Sequence, residues 1–341
     1  LLPAEREATR AQLQAAIGVE LLYAPGGDAR ATALADTAVA TVRRCRPPAS
    51  QRLAVLRLAV HGLHRPDLLH HRVALYDELV ETADALGDAS ALTTALTGRA
   101  SDRVELGRLP EARADLARAD ALARRHRLPQ NLVITGWSLA TLHQMDGDAV
   151  GAQALIAQTE ALDATLSMAG RGIPLYKRAV LRLLEGRLPE LEPQLGAAAA
   201  QIELFRDVHA LSLLEAGREP DVRGLLGSWA EQPRVPRDYL WVLFTVVRAR
   251  LWARLRDPDA VADLRAALTP YADRLAVGSA AVAFLGSVEL ALAELAAAAD
   301  EDDAAATHLA RARRVHEDLG LDVWVRLTDE LGDRLGLPRA T

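Results

Sequence analysis

The chain has 341 residues and a formal net charge of −6; half of its residues are apolar, but only 4% are aromatic. Alanine and leucine, which are strong helix formers, dominate, and residues that favour strands are sparse. The composition therefore predicts an all-α protein and argues against a nucleic-acid-binding surface, which needs basic charge. The single cysteine, Cys45, excludes an intramolecular disulfide framework.

The first part of the chain predicts irregular helices. We expect them near 4–22, 28–44, 50–64 and 67–86. Breaker-rich stretches separate them, with the sequences APGG, RPPAS and HRPD. No apolar run reaches the roughly 18 residues of a membrane span, and charged residues follow almost at once in the opening LLPAEREATR. With the lone cysteine, these features predict a cytoplasmic protein.

The rest of the chain repeats one pattern. GRLPEA begins at Gly107 and GRLPEL at Gly186, and looser copies begin at Gly147, Gly217, Leu255 and Asp300. Apolar residues follow each start at steps of three and four, which indicates one helix face. The glycine ends one helix, and a proline three residues later suits the first turn of the next. Further helices are predicted between the copies, at 89–106, 130–145, 172–185, 207–216, 236–254 and 277–298.

The repeating unit is therefore helix A, a short turn and helix B. The starts lie about 40 residues apart, which is typical of helical-repeat proteins. The sequence predicts an all-α fold, an α-solenoid superhelix of helix pairs like tetratricopeptide repeats. Residues 1–88 would form irregular N-terminal repeats and residues 89–341 more regular ones. We expect the two parts to be continuous in one solenoid, because no long polar linker separates them.

Three segments of this pattern resemble a known type of region. They are AVLRLLEGRLPELEPQL, LTPYADRLAVG and FLGSVELALAEL. They resemble the C-terminal tetratricopeptide-like region of large actinobacterial ATPase-containing regulators, which include LuxR-type and antibiotic-regulatory transcription factors and adenylate-cyclase-like signalling proteins. The resemblance covers about residues 60–335. It implies a sensing or protein-contact role, with ATPase and DNA-binding domains elsewhere in the full-length chain.

The resemblance assigns no catalytic residue to this sequence. The chain contains no P-loop, no dinucleotide-binding glycine motif and no recognisable helix-turn-helix. His61 and His64 stand one helical turn apart, as two metal ligands would, but Pro66 then breaks the helix and no cysteine joins them. Cys45 follows two arginines that would favour a thiolate, yet it has no evident base and fits packing. The acidic run at 300–303 suits a helix N-terminus. We predict no metal and no cofactor.

The most distinctive pattern lies in the predicted helix 236–254. Its polar and aromatic residues recur at steps of three and four and therefore line one face. The tryptophans fit core packing between repeats, and the same face fits contact with a peptide or an anionic ligand, because A helices line the concave side of such superhelices. With residues of neighbouring A helices, the candidate ligand- or partner-binding set is Trp137, Tyr176, Lys177, Asp238, Trp241, Arg248 and Trp252.

These observations predict a function without catalysis. We expect the sensor or protein-interaction region of a bacterial transcriptional or signalling regulator, which binds a protein, a peptide or a small effector on the concave face. A free-standing tetratricopeptide-like adaptor or peptide receptor is the alternative. An α-helical enzyme is disfavoured because no set of polar residues converges. RNA binding would need a basic groove, and the pI near 5.9 argues against it.

Overall fold

The computed structural model describes residues 4–22, 24, 26–166, 172–278 and 283–337. The helices are α1 (Ala4–Leu22), α2 (Asp28–Cys45), α3 (Ala49–Gly62), α4 (Leu69–Leu86), α5 (Ala89–Glu105), α6 (Leu109–Arg125), α7 (Pro129–Met145), α8 (Ala149–Leu166), α9 (Ile173–Leu184), α10 (Glu192–Ala199), α11 (Arg206–Glu215), α12 (Glu219–Leu226), α13 (Trp241–Leu255), α14 (Pro258–Leu268), α15 (Val288–Ala298), α16 (Asp302–Asp318) and α17 (Asp322–Leu335). A short antiparallel hairpin, β1 (Leu275–Val277) and β2 (Phe284–Ser287), separates α14 from α15. The predicted all-α fold is confirmed.

The chain divides into two compact units. Unit 1 consists of Leu1–Arg103, Pro110–Thr135 and Arg237–Trp241. Unit 2 consists of Val104–Leu109, Gly136–Pro236 and Val242–Thr341. The first division falls inside α5. The predicted boundary after residue 88, between irregular and more regular repeats, stays a prediction. The continuity of both parts in one solenoid stays a prediction.

Alanine allows close helix packing in unit 1. Helices α1, α2 and α3 pack on one another, and α3 packs on α4. On α2, Ala31, Ala35 and Ala38 recur at steps of four and three and are completely or almost completely buried. A Cβ added at Gly62 on α3 would lie only 2.9 Å from the Cβ of Ala35. The high alanine content therefore reflects helix axes that approach more closely than larger side chains would permit.

A buried ion pair joins α4 to α5. Arg72 donates from Nε and Nη2 to the carboxylate of Asp102 over 2.8–3.0 Å. Its Nη1 donates to the carbonyl oxygens of Leu63 and Arg65. The two charged side chains are only 4% and 3% exposed. Each charge is thus stabilised by the other instead of by water, which does not reach either of them.

In unit 2, polar contacts link alternate helices. Lys177 on α9 donates to Thr141 on α7 over 2.6 Å. Arg248 on α13 donates from Nε to Asp207 on α11 over 2.7 Å. Sequential neighbours pack as well, from α10 to α12 and from α14 to α17. Contact with both the adjacent helix and the next but one is the arrangement of a helical-repeat solenoid.

The repeated phrase marks helix boundaries, as the sequence predicted. Gly107 and Gly186 adopt positive φ angles of 72° and 67°, the left-handed conformation that ends a helix and that glycine adopts without strain. Pro110 lies in the first turn of α6. In the second copy Pro189 lies in a 3-10 turn, and α10 begins only at Glu192.

Two predicted helices begin later than expected. The predicted helix 277–298 is wrong at its start, because Val277 belongs to β1, residues 284–287 form β2 and α15 begins at Val288. Residues 279–282 of this prediction lie outside the described residues. Gly286 in β2 has a φ of 79°, and a Cβ there would lie 2.6 Å from the Trp324 ring. The predicted helix 236–254 likewise begins only at Trp241. Asp238 lies in the turn before it and accepts the N–H of Leu240 over 2.8 Å, so it does not share the helix face assigned to it.

His316 on α16 fastens the hairpin to α17. Its Nε2 accepts the backbone N–H of Ser287 over 3.0 Å, so the proton lies on Nδ1, which is 3.0 Å from Oγ1 of Thr328. The Thr328 hydroxyl in turn donates to the carbonyl of Trp324. Burial lowers the pKa of His316 to about 4. The ring is therefore neutral in the folded protein at pH 7.

We expect this histidine to make unit 2 sensitive to acid. Its folded pKa lies below that of the unfolded chain, about 6.5, so the unfolded chain binds the extra proton as the pH falls from 6.5 to 4. The free energy of unfolding should fall by about 3 kcal/mol across that window, and His316→Gln should remove this part of the pH dependence. Urea unfolding at pH 6.5, 5.5 and 4.5 measures it. The matched control is His126→Gln at an exposed histidine; equal pH slopes for wild type and His316→Gln would contradict the expectation.

Candidate functional site

The structure buries most of the predicted binding residues. Asp238 is half-buried, and the other six are buried. Asp238 and Trp241 fall in the short segment assigned to unit 1, and the other five fall in unit 2. Their proposed contact with a ligand or partner stays a prediction, but the contacts present are with the protein itself.

The α13 residues illustrate this packing. Arg248 is held by Asp207 and by the carbonyl of Pro233, which its Nη1 contacts over 2.6 Å. The Trp252 ring meets the ring of Trp229 edge to face, with centroids 5.2 Å apart. The guanidinium of Arg237 lies 4.8 Å above the ring of Trp241. Each aromatic or charged group thus has a partner in its own unit, which fits the core-packing alternative of the sequence analysis.

Lys177 is the only lysine of the sequence, and its side chain is almost completely buried at 1% exposure. Burial lowers the pKa of its amine to about 7. The adjacent Tyr176 packs edge to face against Phe205 and Phe244, and burial, together with the charge of Asp207, raises the pKa of its phenol. An amine with this pKa is a competent nucleophile in principle. Here solvent does not reach it.

Unit 2 contains a partly open cavity of about 960 Å³. Its lining comes mostly from the C-terminal halves of α9, α11, α13, α15 and α17 and from the start of α16. Apolar lining is supplied by Leu290, Leu327, Leu331 and Trp324. The remaining lining is mostly arginine and carboxylate side chains. The site therefore combines an apolar surface with charge.

Most charges of the cavity form ion pairs. Arg250 pairs with Glu294 over 3.2 Å, and Arg254 pairs with Glu215 over 3.2 Å. A third cavity arginine is paired at the cavity's edge, Arg256 with Asp300. Such pairs hold arginine side chains in place at the helix ends, where the helix dipole favours cations. Most charged side chains of the cavity wall are thus neutralised by an oppositely charged neighbour.

Arg334, an exposed arginine in the last turn of α17, is the arginine of the described lining without such a pair. Among the described residues it has no carboxylate within ion-pair distance. Burial of part of its side chain lowers its pKa; the charges of Glu294 and Glu330 oppose this effect, and the charges of Arg250 and Arg254 add to it. In the part of the chain that the structure describes, the cavity thus contains one cationic group that no ion pair neutralises.

Sequence reasoning missed this cavity. The predicted binding residues belong to the A helices. The cavity lining instead lies largely towards the ends of five helices that are far apart in the chain. Arginine in a last turn is ordinary, because it complements the helix dipole. No local pattern separates Arg334 from the arginines that serve only this purpose.

The structure also places the other candidate residues of the sequence analysis. The rings of His61 and His64 meet edge to face at 5.2 Å, and burial lowers the pKa of both. In the part of the chain that the structure describes, no group of three or more His, Cys, Asp or Glu is placed to hold a metal ion. Cys45 is half-buried at the end of α2. Asp302 and Asp303 open α16, as the acidic run predicted.

None of the described helices combines the length and the apolar character that crossing a membrane requires. Comparison with known proteins adds no assignment: no family model matches the chain, and no curated protein matches it significantly. The resemblance to actinobacterial regulators therefore rests on the three quoted segments and stays a prediction.

Proposed function

We propose that this chain is a non-catalytic binding module, the sensor or protein-interaction region of a bacterial transcriptional or signalling regulator. Its ligand binds in the unit 2 cavity. The observation that supports this proposal is the cavity itself, because about 960 Å³ lies within the range of small-molecule sites, about 300–1,000 Å³.

The composition of the lining favours recognition over catalysis. Its described residues are leucine, alanine, glycine, tryptophan, arginine and carboxylate residues, without serine, threonine, cysteine, histidine or lysine. The described lining therefore offers no hydroxyl, thiol, imidazole or amine nucleophile, and most of its carboxylates are paired with arginines. Arginines already paired with carboxylates instead give a fixed, charged rim around an apolar surface, which suits the binding of a ligand with both characters.

The position of the cavity suggests how binding would act on a regulator. Its lining joins five alternate helices of unit 2, so one ligand contacts several repeats at once. A ligand that prefers one packing of these helices shifts the population towards that packing. In the proposed regulator, the shift passes to the ATPase module expected elsewhere in the full-length chain.

A free-standing adaptor or peptide receptor is the alternative function. Both functions use the same kind of binding surface, so the cavity does not separate them. The complete reading frame does: a P-loop ATPase upstream supports the regulator, and a start codon adjacent to Leu1 supports the adaptor.

We expect Ala297→Phe to weaken binding in the cavity. Ala297 is a half-buried lining residue of α15, and a phenyl ring there would occupy space that the ligand needs. Wild type is screened against a library of small organic compounds, and the indole N–H signal of Trp324 is followed by ¹⁵N NMR. Compounds that move this signal in wild type should lose at least about tenfold in affinity with Ala297→Phe, which corresponds to about 1.4 kcal/mol.

The matched control is Ala157→Phe, an exposed alanine of α8 that does not line the cavity. This variant should bind like wild type. The proposed function fails if no compound moves the Trp324 signal, or if every compound that does so binds Ala297→Phe equally well.

A further inference from the structure

We propose that the unit 2 cavity binds a small organic acid with an apolar body, and that the carboxylate of this ligand pairs with Arg334. The inference rests on the proposed function and names the chemical class of its ligand. It depends on three features of the cavity: one cation outside any ion pair, an apolar lining and an indole N–H without an acceptor among the described residues.

The cation gives the sign of the ligand's charge. Arg250, Arg254 and Arg256 each have a carboxylate partner, and Arg334 has none among the described residues. The positive charges of Arg250 and Arg254 act on Arg334 and make its own charge less favourable. A carboxylate placed beside Arg334 would offset that repulsion, and the planar guanidinium offers two parallel donors to it.

The apolar lining gives the body of the ligand. Leu183, Leu184, Leu327 and Leu335 line the cavity and are half-buried, so part of each side chain is open to it. A hydrocarbon or aromatic group that covers these leucines removes apolar surface from water, which stabilises the complex. A fully polar anion such as inorganic phosphate gains nothing from this surface. The lining therefore favours an amphiphilic acid.

Trp324 adds a second, independent observation. Its side chain is 1% exposed, and its indole Nε1 has no hydrogen-bond acceptor among the described residues, although it is buried. The opposite edge of the ring packs against Gly286, so Nε1 lies on the edge away from the hairpin. Buried N–H groups in proteins nearly always have an acceptor. A ligand oxygen in the cavity that Trp324 lines is one way to supply it.

The competing class is an amine. Carboxylates in the lining outnumber arginines, and Glu330 lies one turn before Arg334 on α17 without an ion-pair partner among the described residues. Glu330 and Arg334 are both exposed, so exposure does not separate the two classes. The buried indole N–H of Trp324 does, because it is a donor that needs an acceptor oxygen, and an ammonium group has none to offer. The acid is therefore the favoured ligand, and the amine becomes one outcome of the test.

The experiment compares three compounds with the same eight-carbon chain: octanoate, octanamide and octylamine. Each is titrated at millimolar concentrations into ¹⁵N-labelled protein, whose five tryptophans give five indole signals. Trp324→Phe identifies the signal of Trp324. Octanoate should move this signal and bind at least about tenfold more tightly than octanamide or octylamine, because only octanoate carries the carboxylate.

Two arginine variants of the same helix complete the test. Arg334→Gln should weaken octanoate binding about tenfold or more and leave octanamide binding unchanged. Arg326→Gln is the matched control, because Arg326 is an exposed arginine of α17 outside the cavity lining. This control should bind octanoate like wild type. The four other indole signals report whether each variant is folded.

The inference is overturned if octanamide or octylamine binds as tightly as octanoate, if Arg334→Gln retains wild-type affinity, or if none of the three compounds moves the Trp324 signal. These results leave the proposed function intact as long as library compounds still bind wild type and lose affinity with Ala297→Phe. If that dependence on Ala297 is also missing, the proposed function fails as well.

Discussion

Asp102→Ala should lower the free energy of unfolding by about 3–5 kcal/mol, the cost of leaving a buried charge without its partner. Arg72 would keep its two carbonyl acceptors but lose three contacts with the carboxylate, all between 2.8 and 3.0 Å. Because only 4% of the Arg72 side chain is exposed, water does not replace the lost oxygens. Urea unfolding at 25 °C, followed by circular dichroism, measures the change.

The matched control removes a carboxylate from an exposed pair. Asp120 accepts from Arg124 over 2.7 Å on the outer face of α6, and the arginine is 58% exposed. Asp120→Ala should change the free energy of unfolding by less than about 0.5 kcal/mol. Replacing both Arg72 and Asp102 by apolar residues of similar size should recover most of the loss. A loss below about 1 kcal/mol for Asp102→Ala would show that the pair is open to water.

Lys177→Met should instead stabilise the protein and increase the free energy of unfolding by about 2–4 kcal/mol at pH 7. The amine has a pKa of about 7 in the folded protein because it is buried, whereas in the unfolded chain the pKa is about 10.5. Between these values the unfolded chain binds a proton that the folded chain lacks, so stability decreases as the pH falls. Methionine keeps the length of the side chain and removes this proton; the hydrogen bond to Thr141 is among the contacts that it loses.

The pH dependence separates this cause from a packing effect. The advantage of Lys177→Met should shrink by about 3 kcal/mol between pH 7 and pH 9.5, because the folded and unfolded wild-type chains approach the same protonation state. A packing effect would be the same at both pH values. Lys177→Arg is the control with a charge that persists at every pH, and it should be destabilising throughout. An advantage of methionine that does not change with pH would contradict the buried-amine explanation.

The sequence predicts the helices well where local signals decide them. The first helix matches α1, residues 4–22, and the glycines of the repeated phrase are left-handed as expected. Elsewhere a contact between distant segments determines the secondary structure. A side chain at Gly286 would overlap the ring of Trp324, which lies far along the chain on α17. No sequence pattern near Gly286 predicts that contact. The short apolar run around Ala276 fits a helix and a strand equally well.

The candidate site was harder to predict than the fold. Burial of Trp252 and Arg248 depends on which helix faces are covered, and a spacing of three and four residues occurs on covered and uncovered faces alike. Arg334 stands out only because its neighbours Arg250 and Arg254 are paired with carboxylates on other helices. Pairing between distant segments follows from the folded arrangement, so residue types alone do not reveal which arginine of the described lining is left without a carboxylate.

The burial of the only lysine has a practical consequence. A folded chain of this sequence presents no exposed lysine amine, so acylating reagents and amine-directed crosslinkers have no lysine to attack while Lys177 is covered. Modification at Lys177 requires the surrounding helices to open. The rate of labelling at this one amine would therefore report the opening of unit 2 around α9, without any engineered probe.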